Sequence, residues 1–98
     1  MENILNTLKT GDVEIVVAKR GAELKNYKVK GEEFIWNSNP DFWAGSSPVL
    51  FPFVGTLKNG KYTYKNNKYE LTTRHGFVRT EDFELVENNE INYSFKYL

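Results

Sequence analysis

Short runs rich in Val, Ile, Tyr, Phe and Trp recur about every eight to twelve residues along this 98-residue chain, each closed off by Gly, Asn or Asp. That rhythm suits strands joined by tight turns, and no stretch reads as a long helix. An antiparallel all-β fold is therefore predicted, a β-sandwich built from consecutive hairpins. Residues 4–9 and 13–19 pair across Thr10-Gly11-Asp12, and residues 23–29 and 33–36 follow each other across Lys30-Gly31. The clearest hairpin joins residues 61–64 and 68–71 around Asn66-Asn67, since Asn tolerates the left-handed backbone a tight turn requires. A last pair, residues 81–87 and 91–98, turns at Asn88-Asn89-Glu90 with apolar residues at every second position. It ends in mid-alternation, which predicts an open strand edge and a chain that is cut short or lacks a partner.

Two segments resist that pattern. Residues 37–48 contain Asn-Pro, Gly and Ser-Ser-Pro and read as a long loop, with Phe42 and Trp43 expected to tuck it onto the body of the fold. Residues 49–54 are apolar throughout, as in a strand buried on both faces, yet Pro52 has no N–H for a ladder and should break or bulge it. The rings of Trp36, Phe42, Trp43, Phe51, Phe53, Tyr62 and Tyr64 suit stacking on sugar C–H faces, but packing between sheets is expected to claim most of them. The length holds a single domain over residues 1–98.

Thirteen basic and thirteen acidic side chains cancel, so no global field attracts nucleic acid or an anionic membrane. No run approaches the ~20 apolar residues that cross a bilayer, and the first ten residues lack the pattern of a signal peptide. The absence of cysteine excludes disulfides, thiolate catalysis and cysteine metal sites. A cytoplasmic protein is expected. Gly55-Thr56-Leu57-Lys58-Asn59-Gly60-Lys61 spells most of a phosphate-binding loop, but Tyr62 stands where Ser or Thr must hold magnesium, and a strand pattern follows where a helix should open. A plain turn explains it better. His75 is the only histidine, too little for a histidine metal site. In an extended Arg74-His75-Gly76-Phe77-Val78-Arg79, His75, Phe77 and Arg79 would share one side and Arg74 the other, giving a face able to hold hydroxyls or an anion. Composition alone favours a structural role instead, with His75 capping a turn at Gly76 and the arginines pairing with Glu70, Glu81 or Asp82.

Several ordered segments carry a resemblance: Gly21-Ala22-Glu23-Leu24, Phe34-Ile35-Trp36-Asn37, Phe42-Trp43, Ser47-Pro48-Val49-Leu50-Phe51-Pro52-Phe53-Val54-Gly55, Lys58-Asn59-Gly60-Lys61-Tyr62-Thr63-Tyr64 and His75-Gly76-Phe77-Val78-Arg79. Together they resemble the N-terminal third of aldose 1-epimerases of the galactose-mutarotase superfamily, particularly LacX-like and hexose-6-phosphate 1-epimerase-like members. The resemblance implies the N-terminal part of an antiparallel β-supersandwich and, for the complete form, interconversion of the α and β anomers of a free or phosphorylated hexose without a cofactor. In that family a glutamate near the C-terminus takes the C1 hydroxyl proton and a mid-chain histidine protonates the ring oxygen. Both are expected beyond Leu98, leaving this chain alone inactive. His75 then resembles the supporting histidine that binds substrate and stabilises charge on the ring oxygen, with Arg79, Phe77 and Arg74 as neighbouring substrate contacts. Thr56 stands where relatives carry an Arg that contacts hydroxyls or phosphate, so a charge-assisted contact of roughly 1.5–3 kcal/mol is replaced or lost. Two other readings stay open. One is a non-catalytic carbohydrate-binding module; the other is a structural piece whose strand edges pair with a second copy or a complementing C-terminal fragment.

Overall fold

The computed structural model describes residues 4–89 and 93–97. Strand β1 (Leu5–Thr10) turns at Gly11, whose φ of +56° suits the missing Cβ, into β2 (Val13–Ala18), pairing from Leu5 with Ala18 to Thr10 with Val13. β3 (Leu24–Val29) pairs antiparallel with β2 through a bulge at Val16 and Val17. Lys30 and Gly31, both left-handed, then return the chain into β4 (Glu32–Glu33), giving a sheet of order β1-β2-β3-β4. β4 is shorter than the expected strand at residues 33–36. The Glu33 carboxylate explains the early stop: it accepts from the backbone N–H of Tyr27 at 2.9 Å and of Ile35 at 3.3 Å, and from Asn26 Nδ2 at 3.0 Å. Burial pushes this carboxyl's pKa up, but those bonds and the charge of Lys28 outweigh it, and the group lies below its ordinary value.

The second hairpin joins β5 (Lys61–Tyr64) to β6 (Asn67–Glu70). Its turn is Lys65-Asn66, one residue earlier than the sequence suggests, with φ of +48° and +66°. Tyr62 stacks on Tyr69 at 5.1 Å between ring centroids, and Phe53 meets Tyr62 edge-on at 4.9 Å. The third hairpin joins β7 (Phe83–Asn88) to β8 (Tyr93–Tyr97), with a bulge between Leu85 and Glu87. The expected turn at Asn88-Asn89-Glu90 and the start of its second strand at residue 91 lie partly outside the described residues. Backbone bonds from Phe83 to the carbonyl of Lys19 and from Gly21 to that of Glu81 tie this hairpin to the first sheet.

The fold is thus antiparallel all-β, with two 3₁₀ turns (Lys58–Gly60 and Val78–Thr80) and no α-helix among the described residues. Residues 55–60 lead through the first 3₁₀ turn into β5, with no α-helix to receive a phosphate. No helix of the described residues is long and apolar enough to cross a membrane. Leu8, Val16, Val17 and Ala18 of the first hairpin, with Val78, make up the buried apolar core. The apolar segment at 49–54 departs from expectation. It forms no strand, only an isolated bridge between Phe51 and Gly76, and it leaves Phe51 and Val54 exposed. Trp36, Phe42, Trp43 and Tyr64 are exposed as well, so most of the rings expected in a core lie on the surface. The chain presents 7451 Å² to solvent, against about 5,800 Å² for a compact protein of its mass.

Candidate functional site

The site forms where the loop through Trp43, the segment from Pro48 to Gly55 and the turn at His75 converge. Its anchor is a reciprocal pair of bonds. The His75 N–H donates to the Gly55 carbonyl at 2.7 Å, and the Gly55 N–H donates to His75 Nδ1 at 2.8 Å. An Nδ1 that accepts a bond carries no proton, so the ring is neutral with its hydrogen on Nε2, the one polar atom left free to meet a ligand. Burial lowers the His75 pKa, and the nearby positive charges of Arg74 and Arg79 lower it further.

Gly76 makes the second link. Its φ is +75°, and a Cβ there would stand 1.9 Å from the Phe51 carbonyl oxygen. Only glycine permits this approach, which is completed by the Phe77 N–H donating to the same oxygen at 3.1 Å and by Thr73 Oγ1 donating to the Gly76 carbonyl at 2.7 Å. The 3₁₀ turn Val78–Thr80 then brings Arg79 back toward Arg74, and its Nη2 donates to the Arg74 carbonyl at 3.2 Å.

Trp43, Pro48, Leu50, Arg74, His75 and Arg79 line a concavity of about 480 Å³. That volume falls in the range of small-molecule sites. One wall is apolar; the other offers two guanidinium groups and one imidazole N–H, all donors. Such a lining suits ligand oxygens, whether hydroxyl, ring or anionic. No carboxylate lines it, so this wall contains no general base, and no cluster of the described residues could hold a metal ion.

The expected extended segment is corrected here. His75 has a φ of +63° and the chain turns, so Arg74 joins His75 and Arg79 at the cavity instead of facing away. Phe77 lies outside the cavity lining and packs near Tyr97 at 5.9 Å; Thr56 is exposed and also outside the lining. Neither Arg74 nor Arg79 forms an ion pair with Glu70, Glu81 or Asp82 among the described residues. Gly55, Pro48 and Leu50 were missed as site residues. Gly55 had a signal in its position after the apolar segment, but the bond it donates to a side chain 20 residues away had none.

The chain is an antiparallel all-β scaffold with a donor-lined cavity beside a His-Gly-Phe turn, and solved galactose mutarotase-like proteins share its fold. The aldose 1-epimerase family profile matches residues 5–98, and the chain belongs to that family. Protein LacX of Lactococcus lactis subsp. lactis, in its plasmid form, is 40% identical over 80 residues, covering 76% of this chain and 27% of LacX. The galactose mutarotase related enzyme of Lactobacillus acidophilus superposes with a TM-score of 0.79 at 39% identity, over 94% of this chain and 31% of that one. A galactose mutarotase-like protein of Lactobacillus casei gives 0.83 at 28% identity, over 94% and 32%. The chain therefore spans about a third or less of the length of these relatives.

Proposed function

We propose that this chain supplies the sugar-binding wall of an aldose 1-epimerase, holding a hexose or hexose phosphate while its anomers interconvert. The neutral His75 fixed by Gly55 carries the reading: its Nε2–H is a donor set in place for the ring oxygen, where negative charge develops as the ring opens. Arg74 and Arg79 add donors for hydroxyls or a phosphate, and Trp43 offers a ring face to sugar C–H groups. The proton taken from the C1 hydroxyl needs a base, and the donor wall has none. The part of the family fold outside this span, joined to the chain or carried by another polypeptide, supplies the base and acid and covers exposed rings such as Phe42 and Phe51.

Saturation-transfer NMR on glucose or galactose tests the division of labour. Millimolar sugar or hexose phosphate should shift the amides of Gly76 and Arg79, while anomer exchange stays at the buffer rate. Acceleration by this chain alone that disappears in His75→Ala would overturn it.

A further inference from the structure

The apolar wall is held by a group outside the cavity. Glu23 follows Gly21 and Ala22, both left-handed, and its half-buried carboxylate reaches across to the 37–48 loop. A single oxygen, Oε2, accepts from Ser46 N–H at 2.6 Å and Ser47 N–H at 3.1 Å. Ser46 Oγ also lies 2.5 Å from the Leu24 carbonyl, and Lys25 Nζ lies 3.5 Å from the same Oε2 and 3.3 Å from the Ala44 carbonyl. The stretch 44–47 is thus fastened at four points to the start of β3. Next to it, Gly45 lies against the Trp43 indole, so closely that a Cβ there would meet the ring at 2.8 Å. Pro48 follows Ser47 directly. On the other side of the same turn, a Cβ on Gly21 would meet the Arg79 carbonyl at 2.6 Å. One turn therefore abuts both the donor wall, through Gly21 against Arg79, and the apolar wall, through Glu23 against Ser46 and Ser47.

We infer that Glu23 is a positioning residue for the sugar site: its carboxylate sets the distance of Trp43 and Pro48 from His75 and Arg79 without touching ligand. The inference rests on the sugar-binding reading above. Charge-assisted bonds to backbone N–H groups are strong for their kind; Trp36 Nε1 and the Asn39 carbonyl hold the loop at Trp43, but among the described residues it is Glu23 that takes the backbone N–H groups of Ser46 and Ser47. Glutamine keeps one acceptor oxygen for the two serine N–H groups and should hold the loop; alanine cannot.

The test uses the 98-residue chain as wild type, Glu23→Ala, Glu23→Gln and Gly45→Ala. The first readout is the ring-current shift of the Gly45 Hα protons beside the Trp43 indole. The second is the dissociation constant for D-galactose and for D-glucose 6-phosphate, from shifts of the Gly76 and Arg79 amides. Glu23→Ala should abolish the Gly45 shift and weaken sugar binding by roughly tenfold or more, the scale on which supporting residues act on the groups they orient. Glu23→Gln should stay within about threefold of wild type, the residual being the weaker neutral acceptor. Gly45→Ala moves the indole from the other end of the brace and should weaken binding similarly, which keeps the test valid should Glu23→Ala fail to fold. A Gly45 shift that survives Glu23→Ala overturns the brace, and a lost shift with unchanged binding overturns its role at the site. Wild type that binds neither sugar would sink the sugar reading alone, and the Gly45 shift would then decide the brace.

Discussion

Gly76→Ala should be among the most costly single-methyl additions this chain can undergo. The new Cβ would stand 1.9 Å from the Phe51 oxygen, 2.4 Å from its carbonyl carbon and 2.8 Å from Pro52 N, whereas ordinary contact begins at 3.4 Å. These are backbone atoms and cannot swing aside, so the two segments must part by about 1.5 Å, the shortfall at the oxygen. Parting them removes the Phe77 N–H bond to Phe51, worth about 1 kcal/mol, and disturbs the reciprocal bonds between His75 and Gly55, worth about as much again. A left-handed φ costs an L-residue roughly 1 kcal/mol more. The total is about 3 kcal/mol. Gly31→Ala is the matched control, because its φ is +81° and nothing lies within 4 Å of its Cβ position, so it carries only the conformational cost of about 1 kcal/mol. The difference of about 2 kcal/mol should separate the melting temperatures by about 8–16 °C for a chain of this size, read by far-ultraviolet circular dichroism. Equal melting temperatures for the two variants would refute the argument that the approach of Gly76 to Phe51 holds the site together.

The remaining predictions concern charge and turns. Because the folded state lowers the His75 pKa, its neutral ring stabilises the fold fully above the ordinary value of 6.5, and that contribution is lost as pH falls through the lowered folded value. Urea midpoints of wild type should fall more between pH 7.5 and pH 5 than those of His75→Asn, and parallel curves would contradict the Gly55 bond. Glu33 has the usual sign for a carboxylate: its contribution is present above 4.5 and lost as pH falls through the lowered folded value, so Glu33→Gln should flatten the acid limb of the same titration. In the second hairpin's turn, the double substitution Lys65→Asn with Asn66→Gly relieves a left-handed Lys worth about 1 kcal/mol and gives up the Lys65 ammonium over the Tyr64 ring, worth about 0.5 kcal/mol. A net rise of about 2–4 °C in melting temperature is expected, and a fall would show the ring contact to be the stronger.

The hairpins were legible because their information is local. Gly11, Lys30-Gly31 and the Asn-rich turn sit between alternating runs, and each marks a reversal within one or two residues of the observed one. The family was legible for a similar reason, through short ordered motifs. What the sequence hid depends on distant partners. The apolar run at 49–54 reads as a buried strand, yet a strand needs a neighbour with a matching ladder, and among the described residues its backbone meets only Gly76 and Phe77, through Phe51. Glu33 ended β4 early by taking backbone bonds with its side chain, a competition that propensity does not register.

The site itself lies in the part that alternation cannot describe. Gly55, His75 and Gly76 all have φ between +63° and +83°, so the cavity is built at left-handed positions, where the period of two is broken. For His75 that conformation is unfavourable in isolation, and the two bonds exchanged with Gly55 offset it. The balance has a functional consequence. A histidine in a regular strand would present either ring nitrogen and take a proton near neutral pH, whereas His75 is held to one tautomer by the same bond that compensates its backbone strain. Losing the Gly55 bond would release the ring and the strain together. The donor that faces the cavity and the turn that supports it should therefore fail as one unit, and His75 ring order should track local stability across substitutions at Gly55 and Gly76.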